Sequence, residues 1–118
     1  MGEFHQAVTL EGEKKAVTLP MLVDTGATYS VISRALAREI GVTRPRRPFW
    51  MTLADGRRAK VNPGLVRYSI LGREAVMTIL IGNVVEPILG MEALEILALA
   101  VEPRRRRLRK MRGFRLRI

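Results

Sequence analysis

The chain has 118 residues, 47% of them apolar, no cysteine and a net charge of +10. That length suits a single domain with one modest core, and the absence of thiols excludes both a disulfide framework and a thiolate metal site. No apolar run is long enough to span a bilayer and the N-terminus lacks the basic-then-apolar order of a signal peptide, so a soluble cytoplasmic protein is expected.

Alternation of apolar and polar residues dominates the chain. Phe4 to Leu10 and Ala16 to Val23 flank the polar turn Glu11-Gly12-Glu13-Lys14, which predicts a hairpin. Leu19, Met21, Leu22 and Val23 read as a buried strand, and Asp24-Thr25-Gly26-Ala27 turns sharply at its exit. A carboxylate costs several kcal/mol to bury unless it is paired or hydrogen-bonded, so Asp24 marks a site. Only two aspartates occur in the chain, Asp24 and Asp55.

Tyr29 to Ile32 predicts a short strand, and Ser33 an N-cap for a helix over 34–40 that Gly41 closes. Two prolines and three arginines over 43–48 predict a surface loop. Phe49 to Leu53 and Arg57 to Val61 flank Ala54-Asp55-Gly56, where Asp-Gly signals a tight hairpin. Leu65 to Leu71 and Ala75 to Ile81, around Gly72-Arg73-Glu74, predict another hairpin. Val84 to Leu89 predicts a strand running into Gly90, followed by a helix over 91–97 and a last core strand over 99–101. Met77 and Met91 lie in apolar runs and are expected in the core, while Phe49 and Trp50 suit either a substrate pocket or packing beneath a hairpin. His5 stands alone, and no cluster of ligating side chains suggests a metal.

The charge is lopsided. Nine cations and no acid follow Pro103, whereas the residues before them carry 12 basic and 11 acidic side chains. The division expected is a domain over 1–103 and a basic tail over 104–118. Phe114, Leu116 and Ile118 alternate with Arg115 and Arg117, which suits an extra strand at an edge or interface. The tail could also engage nucleic acid, an acidic partner or an anionic membrane surface, but Phe114 is its sole stacking side chain, so a solvated segment is favoured.

Asp24-Thr25-Gly26-Ala27-Thr28 followed by Ser30-Val31-Ile32 resembles the active-site motif of the retropepsin-like aspartic proteases. Ile88-Leu89-Gly90 entering a helix is similar to that family's second signature, and the hairpin over 52–59 falls where the family carries a substrate-covering flap. The resemblance implies a mainly β, closed, barrel-like fold with one or two short helices. It implies an aspartic endopeptidase without cofactor, acting on peptides or proteins. One motif in so short a chain implies a homodimer, with one Asp24 carboxylate from each subunit holding a water.

By the same resemblance Asp24 is catalytic, and Thr25, Gly26, Ala27 and Thr28 form the active-site loop. Thr25 would bond across the dimer axis, Ala54, Asp55 and Gly56 would form the flap tip, and Leu89 and Gly90 would buttress the loop. Viral members have an aspartate at position 28 and an arginine at 91, which pair; here Thr28 and Met91 replace them together. Ala27 stands where pepsin-like enzymes carry a hydroxyl that donates to the carboxylate, so activity at a less acidic pH than pepsin's is expected. The alternative is an inactive scaffold of this fold whose basic tail binds a polyanion.

Overall fold

The computed structural model describes residues 3–43, 47, 49–52 and 55–113, with the backbone alone at Phe49. It is mainly β with two short helices, as expected. In chain order the elements are β1 (His5–Glu11), β2 (Ala16–Val23), β3 (Val31–Ile32), α1 (Arg34–Ile40), β4 (Phe49–Thr52), β5 (Arg58–Ile70), β6 (Arg73–Ile81), β7 (Ile88–Leu89), α2 (Met91–Ile96), β8 (Leu99–Glu102) and β9 (Arg107–Lys110).

Seven strands form a mixed sheet in the order β1-β2-β7-β3-β6-β5-β4, near-closed because β5 also pairs back to β1 through Thr9 opposite Ser69. The short strand β7 lies between the two strands that flank Asp24. It runs parallel to β2, with Val23 opposite Leu89, and antiparallel to β3, with Val31 opposite Ile88. Alternate residues fill the interior: Val8 and Leu10 from β1, Val66, Tyr68 and Ile70 from β5, and Met77, Ile79 and Ile81 from β6 are all buried. Leu89, Leu94 and Leu97 complete the core beneath α2. Met77 is buried as expected, and Met91 is half-buried against the same core.

Local chemistry sets the helix ends. The Ser33 hydroxyl accepts from the Leu36 amide, and Gly41 takes the left-handed conformation that ends α1, with φ of 77°. The carbonyls left over at that end are satisfied by the β1–β2 turn, since the amides of Glu13 and Lys14 donate to Gly41 and Ile40 at 2.8 and 2.9 Å.

Three expectations need correction. The two runs expected over 57–61 and 65–71 are one strand, β5, which continues through Pro63-Gly64 for 13 residues. The Leu65 amide donates to Thr43 on the side away from β6, so the imino nitrogen of Pro63, two residues earlier, faces the same way and costs the β5–β6 ladder nothing. The strand expected over 84–89 shrinks to Ile88–Leu89, because only those two residues lie between β2 and β3. The strand expected over 29–32 is Val31–Ile32. The loop over 43–48 lies largely outside the described residues, as do Phe114, Leu116 and Ile118. Among the described residues, no helix is long and apolar enough to cross a membrane.

Candidate active site

β2 carries the chain to Asp24 and β7 holds it there. The Val23 amide donates to the Phe4 carbonyl and the Asp24 amide to the Leu89 carbonyl, each at 3.0 Å. The chain then leaves the ladder in a turn closed by the Ala27 amide on the Asp24 carbonyl at 3.1 Å. The Gly26 amide donates to Oδ1 of Asp24 at 2.9 Å. A Cβ on Gly26 would stand 3.3 Å from that same oxygen, so glycine allows the close approach. Asp24 is half-buried, and among the described residues it has no ion-pair partner.

The far side of the loop is fixed to α2 through backbone. The Met91 amide donates to the Ala27 carbonyl at 2.8 Å and the Glu92 amide to the Thr28 carbonyl at 2.9 Å. These bonds tie loop to helix where Thr28 and Met91 leave no ion pair to do so. Gly90 fits against the loop so closely that an added Cβ would lie 2.6 Å from the Tyr29 carbonyl group. Its amide donates to the hydroxyl of Ser30, a buried residue that belongs to the sequence motif but had no role assigned to it. Leu89 is fully buried directly behind Asp24.

A polar group lies under this loop. Tyr68 is buried and its hydroxyl donates to the Thr78 carbonyl at 2.7 Å. Burial holds its acidity far weaker than an ordinary tyrosine's; the Ser30 hydroxyl lowers the pKa and the charge of Glu92 raises it. Burial also raises the pKa of the Glu92 carboxyl.

The remaining candidates sit on the β4–β5 hairpin. Thr52 pairs with Arg58, where β5 begins, so Arg57 precedes the strand it was expected to start. Gly56 has φ of 87°. Asp55 accepts from both the backbone amide and the Nε of Arg57, at 3.0 and 2.6 Å. Ala54 lies outside the described residues. Trp50 is 57% exposed, with the Arg58 guanidinium 5.3 Å from its ring, so it does not pack beneath the hairpin. His5 is not alone: its Nε2 lies 2.6 Å from the Glu86 carboxylate.

The candidate site is thus a half-buried carboxylate at a strand exit, held by a glycine amide and backed by a second strand–glycine–helix unit. Residues 9–95 match the family model described as "gag-polyprotein putative aspartyl protease", and the chain belongs to that family. Among solved structures the chain is similar to the EIAV protease complexed with the inhibitor HBY-793, over 80% of this chain and 86% of that one. The TM-score is 0.68 and the identity 21%, a likeness that shows the retropepsin-like fold. The comparison with curated proteins returned no match.

Proposed function

We propose that this protein is an aspartic endopeptidase whose active site is completed by a second copy of the chain. The observation that carries the reading is Asp24 itself: half-buried, free of any ion pair among the described residues, and on a loop whose carbonyls at Ala27 and Thr28 are already satisfied by α2. The carboxylate is therefore not consumed in holding its own loop beyond the Gly26 amide. The only other aspartate, Asp55, is engaged by Arg57 on the β4–β5 hairpin, so the second carboxylate comes from the other subunit.

Two such carboxylates close together resist ionising together, and the reactive form is the one in which one is charged and the other protonated. The charged one takes a proton from a water between them as the water oxygen bonds to the scissile carbonyl carbon. The protonated one supplies its proton to the carbonyl oxygen. Collapse of the resulting diol breaks the C–N bond as the proton taken from water goes to the leaving nitrogen and one diol hydroxyl returns a proton to the other carboxylate, leaving a carboxylic acid and an amine. Thr25 is exposed, and its hydroxyl has no partner within the described chain, which suits a bond across the subunit axis. The hairpin tip over 54–56 would cover the bound peptide.

Cleavage of a mixed peptide library between pH 3 and 8, by wild type and by Asp24→Asn, tests the reading. Cleavage by wild type alone supports it. Equal cleavage by both overturns it, and none by either, when sedimentation shows a dimer, leaves an inactive scaffold.

A further inference from the structure

We propose that the β8–β9 hairpin is a docking surface for duplex nucleic acid, held through the phosphate backbone without reading base sequence. The chain after Pro103 is not a solvated tail where it is described. A 3₁₀ turn over Pro103–Arg105 and a left-handed Arg106 fold it back, so that β9 pairs with β8 from Leu99 opposite Lys110 to Glu102 opposite Arg107. Leu99 and Leu108 are buried on the inner face. The Met111 amide donates to the Ala98 carbonyl at 2.8 Å, and Arg73 donates to the carbonyls of Leu97, Ala98 and Met111.

On this anchored ribbon the cations point outward. Arg104, Arg105, Arg106, Arg107, Arg109, Lys110 and Arg112 are all exposed, and Glu102 is the only acid among them. Glu102 pairs with Arg107 at 2.7 Å and Arg109 at 3.9 Å. Arg104, Arg105, Arg106, Lys110 and Arg112 make no ion pair among the described residues. The residues before Pro103 are almost neutral, whereas the described residues after it carry seven cations, a concentration of charge that orients the approach of a polyanion.

Chemistry selects among polyanions. Six of the seven cations are arginines, whose planar fork bonds two phosphate oxygens at once. Alternate residues on a strand stand about 6.6 Å apart, so Arg107 and Arg109 repeat along one face. A bilayer surface would also require apolar side chains to insert, and 99–112 has no exposed large hydrophobic residue. A single strand would call for stacking aromatics, which 99–112 lacks.

The test is anisotropy of a labelled mixed-sequence 30-base-pair DNA duplex titrated with the full chain between 50 and 200 mM salt. If the five unpaired cations meet phosphates, log affinity falls against log salt with a slope of about −4.5. Arg104→Gln, Arg105→Gln and Arg112→Gln combined should cut affinity at least tenfold and flatten the slope by roughly 2 to 3. The matching Lys triple should keep most of the slope, and Asp24→Asn should bind as wild type does. The proposal is overturned by undetectable binding at 50 mM salt, or by an unchanged slope in the Gln triple. It is equally overturned if single-stranded DNA, polyglutamate or phosphatidylserine vesicles bind as tightly as the duplex at equal charge.

Discussion

The Ser30 hydroxyl accepts a hydrogen bond from the Gly90 amide at 3.0 Å inside the core, joining two points 60 residues apart in the chain. Ser30 lies just before β3 and Gly90 just before α2, so this bond locks the two halves of the site together. Removing the hydroxyl leaves a buried amide without a partner, at a cost of about 1–3 kcal/mol. Ser30→Ala should therefore lower the urea midpoint of unfolding with an unchanged slope. A loss below about 0.5 kcal/mol would show that the bond is not structural.

Gly90→Ala meets backbone. The new methyl would stand 2.6 Å from the Tyr29 carbonyl group and 2.9 Å from the Thr28 carbonyl oxygen, and neither can rotate away. The active-site loop must shift, so a loss of about 1–3 kcal/mol is expected, together with weakened peptide cleavage. Urea unfolding and cleavage by the same variant check both parts.

Arg73 reaches from the β5–β6 turn to three carbonyls at the ends of α2 and β9, at 2.7 to 3.0 Å. Charge-assisted bonds of this kind are the stronger ones. Arg73→Gln should cost about 2–3 kcal/mol and loosen the C-terminal hairpin ahead of the barrel. Hydrogen exchange should then speed up at Arg107 to Lys110 while Val8 and Leu10 stay protected; uniform acceleration would contradict a local clamp.

Two glutamates should respond to pH in opposite senses. Burial raises the pKa of Glu92, so its stabilising contribution is present below the unfolded-state value of 4.5 and is lost as pH rises through the folded value. Glu92→Gln should gain on wild type as pH climbs from 4 to 8. The hydrogen bond from Arg107 lowers the pKa of Glu102, so that carboxylate stabilises above 4.5 and ceases to as pH falls through its folded value. Glu102→Gln should lose stability at pH 7 and match wild type in acid. Urea midpoints across that range decide both signs.

What the sequence made legible is what local chemistry controls. Ser33 and Gly41 cap α1 within their own turns, and the β1–β2 hairpin follows from alternation around a polar turn. The placement of Asp24 after an apolar strand was readable for the same reason. What stayed hidden depends on partners distant in the chain. Pro63 is harmless in β5 only because of where β6 and Thr43 lie. β7 is two residues long because β2 and β3 enclose it, and neither limit is written near Ile88. A serine before Val31-Ile32 gives no sign that Gly90 will need its hydroxyl, nor does Arg73 announce three carbonyls from the C-terminal region.

The central claim is that one catalytic site needs Asp24 from two chains, and subunit mixing tests it most directly. Wild type is co-refolded with a ninefold excess of Asp24→Asn and peptide cleavage is measured per wild-type chain. If both carboxylates are shared across a two-fold axis, random pairing leaves about one tenth of the wild-type chains with a competent partner, so activity per wild-type chain should fall to about one tenth. Activity that stays constant per wild-type chain would mean that each subunit cuts alone, and the shared site would be wrong.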